Sequence, residues 1–146
     1  SEISAAFALE QLKKLPKKIK KRNNNFINLK NFFSNFPKFF ELPAQQKGLT
    51  TAWLAYPIII KDKSKLNRQK LQIFLEKRGI QTRTIFTGNI LRQPIMKKKK
   101  FKKVRNCSVN SNNIMKNGIL IGCHQGLSLK DIKYIQSVIS KFGKIK

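Results

Sequence analysis

Residues 52–60 read AWLAYPIII, a run without charge in a chain that carries 32 Lys and Arg against 6 Asp and Glu. Its β-branched and aromatic side chains suit a strand, and that assignment decides the fold. Pro57 lacks a backbone donor, so the strand is expected at a sheet edge or with a bulge. Downstream, Asn67 is an N-cap ahead of Leu71, Phe74 and Leu75 at helical spacing, and Gly79 takes the C′ position. IQTRTIF (80–86) then alternates as a second strand. A short helix is expected over 112–117, and ILIG (119–122) as a short buried strand. Ser128 with Asp131 three residues on signals a capped helix. Its apolar face is Ile132, Ile135, Ile139 and Phe142, and Gly143 ends it.

Upstream, residues 34–52 lack periodicity and contain Pro37, Pro43 and Gly48, which predicts a connecting loop. SAAFALEQLKKL (4–15) is rich in helix formers, with Ala5, Leu9 and Leu12 on one stripe. Pro16 removes a backbone bond and predicts a kink or restart. Beyond it Ile19, Phe26, Leu29 and Phe33 form one apolar face. The expected architecture is α+β: a long bent linking helix over residues 1–36, then a small domain over 37–146 in which helices cover a three-stranded sheet.

The formal charge of +26 invites a nucleic-acid reading, because a basic face binds phosphate by releasing counterions. A blander source competes. The chain has 26 Lys, 13 Asn, 18 Ile and 11 Phe, nearly half of its 146 residues, and all four have codons rich in A and T. Lysine spread over helix faces fits compositional drift better than one binding stripe. The run Lys97 to Lys103 reads as a solvated excursion, with no aromatic stacking pattern beside it. Cys107 and Cys123 are too far apart for a zinc knuckle, and no disulfide framework is suggested. No apolar run approaches the roughly 20 residues that span a bilayer, so a cytoplasmic setting without a membrane partner is expected. The start at Ser1, already in helix-like sequence, reads as a cut.

TIFTGNILRQPIM (84–96) is a loop without lysine in a lysine-rich chain. Its one charge is Arg92, set among Asn89, Gln93, Gly88 and Pro94. On residues alone this is a Gly-Asn turn with a solvated arginine, or a site whose guanidinium forks onto phosphate while the carboxamides address hydroxyls.

In order, EISAAFALEQLKKLPKKIKKRNNNF, AWLAYPIII, TRTIFTGNILRQP, NIMKNGILIG and QGLS…DIKYI resemble the C-terminal part of the DegT/DnrJ/EryC1/StrS sugar aminotransferase superfamily. GNILRQP after TR-x-x-F is most similar to its NDP-4-keto-6-deoxyhexose 3-dehydrase branch, the lipopolysaccharide RfbH type. The resemblance implies the small domain of a fold type I, pyridoxal-phosphate-dependent homodimer that makes deoxysugars. In the dehydrase branch the cofactor works as pyridoxamine phosphate and assists loss of the sugar's 3-hydroxyl; a histidine replaces the usual lysine. The cofactor's phosphate site and base belong, on this resemblance, to a large domain preceding the matched region. No catalytic, cofactor-binding or metal-binding residue is therefore assigned here, and the chain alone is expected to be inactive. An iron-sulfur cluster, found in some members, is left unassigned.

The resemblance makes Arg83, Asn89, Arg92 and Gln93 the candidate substrate-binding residues, with a nucleotide sugar as partner and nucleic acid not expected. An NDP-sugar aminotransferase is the first alternative, a basic nucleic-acid-binding module the second. Arg83 reads equally well as an exposed sheet-face residue. Trp53 and Tyr56 match an aromatic pair of the family's strand, with Trp53 expected in the core. His124, the single histidine, has no nucleophile or carboxylate partner at a motif spacing and is expected to be a structural or surface residue. Leu120 stands where the dehydrases carry Trp, and CHQGL lacks a proline before its glycine.

Overall fold

The computed structural model describes residues 1–86, 88–102 and 108–142. Helix α1 (Glu2–Phe33) starts with Ser1 as its N-cap and runs without interruption through Pro16. The kink-or-restart expectation is thus corrected in its stronger form: there is no second helix. Proline deletes one bond of a long ladder, and it does so on the exposed half of α1, where solvent can satisfy the freed carbonyl. Burial begins only in the second half, at Asn25, Phe26, Leu29 and Phe33, while Phe7, Leu9 and Leu12 stay exposed.

Among the described residues the sheet has four antiparallel strands in the order β1-β2-β4-β3, one more than the sequence predicts. The extra strand, β1 (Phe40–Glu41), lies inside the segment expected as loop and pairs with the end of β2 (Ala55–Ile60). Two residues are too few to show an alternating pattern, which is why it escapes the sequence. Strand β4 (Gly118–Gly122) is central, and β3 is only Thr82–Arg83, not the whole of 80–86.

Pro57 shows how the sheet accommodates its missing donor. Lys61 N–H reaches Phe39 C=O, so odd-numbered residues of β2 point their backbone toward β1. β1 pairs only with Ile59 and Ile60, which leaves Pro57 facing an unpaired stretch in a regular register without a bulge.

Tyr56, Ile58 and Ile60 alternate inward and meet Ile119 and Ile121 of β4. Helices α1, α2 (Arg68–Glu76) and α4 (Leu129–Ser140) close this face with Phe26, Leu29, Phe33, Leu71, Leu75, Ile132, Ile135 and Ile139. Trp53 is partly buried and stacks on Phe26 at 4.3 Å, as a core residue does. The end signals work as predicted. Asn67 accepts from Lys70 N–H. Ile80 N–H reaches Leu75 C=O and Gly79 N–H reaches Glu76 C=O, around a Gly79 φ of +72°. Ser128 and Asp131 form a reciprocal capping box. Gly143 lies outside the described residues.

The Tyr56 hydroxyl sits in this core with no hydrogen-bond partner among the described residues, and burial pushes its pKa up. Tyr56→Phe removes an unpaired polar atom and keeps the ring. It should be neutral or stabilising by about 1 kcal/mol, read from the urea midpoint; a clear loss would show that the hydroxyl is satisfied.

Candidate functional site

The loop 84–96 is positioned from both ends. At its start, Glu76 accepts from Thr82 N–H at 2.6 Å and from Thr82 Oγ1 at 2.8 Å, and these bonds hold the Glu76 carboxyl below its usual range. Arg83 follows, paired with Leu120 on the sheet face opposite the core. Further along, Gly88 has a φ of +73°, and a Cβ there would lie 2.2 Å from Met115 Cβ. Glycine therefore lets the loop backbone rest directly on helix α3 (Val109–Asn117). The far end of α3 is tied to the turn after β2, where Asp62 Oδ1 accepts from Lys116 Nζ at 2.9 Å and Asn117 Nδ2 at 3.0 Å. The Lys116 hydrogen bond chiefly holds the Asp62 carboxyl low.

On that seat Asn89 is only 3% exposed. Its Oδ1 accepts from Leu91 N–H at 2.9 Å and caps the 3-10 turn Ile90–Arg92. Its Nδ2 donates to Asn112 Oδ1 at 2.9 Å, and the same oxygen accepts from Arg92 Nε at 3.2 Å. Arg92 is exposed, and its Nε is the one Arg92 side-chain atom with a partner among the described residues. Gln93 is half-buried, donates its N–H to Ile90 C=O and begins a second 3-10 turn, Pro94–Lys98. The loop thus carries a carboxamide pair beside a guanidinium whose two terminal nitrogens have no partner among the described residues. Such a group can hold a phosphate or a carboxylate by two parallel bonds.

The structure brings Asn89 and Arg92 together through Asn112 and leaves Arg83 apart. Arg83 lines an open, largely apolar cleft of about 640 Å³ with Leu54, Leu120, His124 and Tyr134. Arg83 also borders a smaller cleft with Thr84, Phe86 and Leu120, and neither cleft takes in Asn89, Arg92 or Gln93. Asn112 escapes sequence reasoning. It is one asparagine of 13, and nothing in its neighbours marks it as the partner of a residue 20 positions earlier.

His124 and Cys123 make hydrogen bonds within the fold. His124 is exposed, its Nδ1 accepts from Gly126 N–H at 3.1 Å, and its carbonyl accepts from Asn25 Nδ2 at 3.0 Å. Cys123 is buried, its thiol pushed up to about 11 by burial, and its Sγ donates to Trp53 C=O at 3.6 Å. A thiol so placed stays protonated at neutral pH. Cys107 lies outside the described residues. Among the described residues no group of three His, Cys, Asp or Glu could hold a metal ion, and no helix is long and apolar enough to cross a membrane.

Residues 1–140 match the DegT/DnrJ/EryC1/StrS aminotransferase family. The chain is 32% identical over 142 residues to the lipopolysaccharide biosynthesis protein RfbH of Salmonella typhimurium, covering 97% of itself and 32% of that protein. It is 34% identical over 138 residues to the GDP-4-keto-6-deoxy-D-mannose 3-dehydratase of Escherichia coli O55:H7, covering 94% of itself and 35% of the relative. A solved E. coli GDP-4-keto-6-deoxy-D-mannose-3-dehydratase with bound hydrated pyridoxal phosphate superposes with a TM-score of 0.80 at 34% identity. That alignment covers 94% of this chain and 34% of the solved one. A GDP-4-keto-6-deoxymannose-3-dehydratase mutant with bound GDP-perosamine superposes with the same score and identity, over 94% of this chain and 35% of that one.

The chain therefore spans about a third of the length of these relatives. Its described residues do not make a pyridoxal phosphate site. Among the described residues no lysine is buried, and Asp131, the carboxylate beside the Arg83 cleft, is tied up in the Ser128 capping box. The order of elements, the loop seated on α3 and the match over residues 1–140 agree: the chain belongs to the DegT/DnrJ/EryC1/StrS aminotransferase family.

Proposed function

We propose that this chain is the C-terminal small domain of a cytoplasmic, homodimeric enzyme of deoxysugar biosynthesis. Its reaction is loss of the C-3 hydroxyl from an NDP-4-keto-6-deoxyhexose. Residues 1–36 link it to a cofactor-binding domain, and residues 37–146 form the substrate-side domain. The cofactor, pyridoxal or pyridoxamine phosphate, supplies the electron sink that loosens bonds beside the sugar's keto carbon. This chain's share is binding: Arg92 takes the diphosphate with Gln93 beside it, Asn89 holds the turn that carries these two, and Arg83, set apart on β3, addresses a more distant part of the nucleotide sugar.

The observation that carries this reading is the exposed Arg92 guanidinium, held at Nε by half-buried Asn112, which is in turn held by buried Asn89. A solvated surface arginine needs no such seat. The relatives named for 3-dehydration, and the relative solved with a GDP-sugar, support the substrate class and the reaction.

The complete enzyme, this chain acting with its cofactor-binding domain, should convert GDP-4-keto-6-deoxymannose to a product lacking the 3-hydroxyl, seen by mass spectrometry. A 4-amino sugar without dehydration would establish the aminotransferase alternative instead. The isolated chain should take up no stoichiometric pyridoxal phosphate by absorbance; uptake would contradict the division of labour.

A further inference from the structure

Asn112 is the hub of the Arg92 site. Its Oδ1 receives Asn89 Nδ2 at 2.9 Å and Arg92 Nε at 3.2 Å. The direction of this small network is fixed by a backbone group. Leu91 N–H can only donate, so Asn89 must turn Oδ1 toward it and Nδ2 toward Asn112. Asn112 must then present its oxygen, because its NH₂ would face two donors. The platform beneath is rigid for separate reasons. Gly88 lies against Met115, and Asp62 holds Lys116 and Asn117 of the same helix.

We infer that Asn112 is a positioning residue that restricts how Arg92 meets its ligand. With Nε engaged, the guanidinium offers Nη1 and Nη2 as a pair, an end-on fork matched to two oxygens of one phosphate. Asn112 thereby makes the loop selective for the diphosphate of the nucleotide sugar over its uncharged parts. The inference rests on the proposed role of Arg92 and goes beyond it in naming the group that aims the arginine and the ligand atoms it is aimed at.

Calorimetry on the complete enzyme with GDP and with guanosine tests it. Asn112→Ala frees Arg92 and should weaken GDP about three- to tenfold while leaving guanosine unchanged. In an Arg92→Ala background the same substitution should add nothing further for GDP. Asn112→Asp keeps an oxygen for both donors, so the loop should stay folded by its melting temperature, yet its charge cancels that of Arg92 and GDP should weaken at least as much. Unchanged GDP affinity in Asn112→Ala, an equal loss for guanosine, or a full additional loss in the Arg92→Ala background would overturn the positioning role. If Arg92→Ala weakens GDP and Asn112→Ala does not, only this inference falls. If Arg92→Ala itself leaves GDP unaffected, the proposed role of the loop falls and takes this one with it.

Discussion

Phe33→Ala is expected to lower the unfolding free energy by about 3–5 kcal/mol, against the roughly 5–15 kcal/mol that a folded domain usually has. Phe33 is fully buried and joins three elements. It belongs to the end of α1, meets Phe40 of β1 edge-on at 5.1 Å, and stacks on Tyr56 of β2 at 5.4 Å with the rings 10° apart. The space it leaves is hard to fill, because its ring neighbours Phe40 and Tyr56, and Leu29 one turn earlier on α1, are themselves buried. Leu12→Ala, on the same helix but 62% exposed, should change stability by no more than about 0.5 kcal/mol. Equilibrium denaturation of the two variants checks both figures. Equal, small effects would mean that the second half of α1 is not docked on the sheet.

That contrast also bears on how far the sequence could be followed. The stripe Ile19, Phe26, Leu29, Phe33 predicts a buried helix face, and burial indeed begins in this half of α1, because core contacts there select apolar residues at every turn. The stripe Ala5, Leu9, Leu12 looks no different by periodicity, yet it is exposed, since a pattern records that a face is apolar and not what covers it. Capping signals at Asn67, Gly79 and Ser128 transfer almost without change, because each describes a hydrogen bond closed within a few residues. β1 and the shortened β3 were illegible for the opposite reason: their strands are set by partners far along the chain rather than by their own composition.

The candidate site was legible to the same degree. The oddity of Arg92 among carboxamides is visible in one dimension, and Asn89 at its side is buried as a loop-forming residue rather than open to solvent. The link to Asn112 is a contact between a loop and a helix, and only folding reveals it. Arg83 and Arg92 look like one site in sequence, being nine positions apart, but the first faces the clefts on the sheet and the second stands on α3.

On the proposed function, this chain binds the nucleotide sugar through the loop 84–96 and leaves the cofactor chemistry to another domain. Replacing Arg92 by alanine in the complete enzyme removes a charge-assisted fork worth about 1.5–3 kcal/mol, which should weaken nucleotide-sugar binding roughly ten- to hundredfold. Cofactor content, read by absorbance on the same sample, should not change. An Arg92→Ala enzyme that binds GDP-sugar as tightly as the wild type, or one that loses its cofactor along with its substrate, would contradict the account.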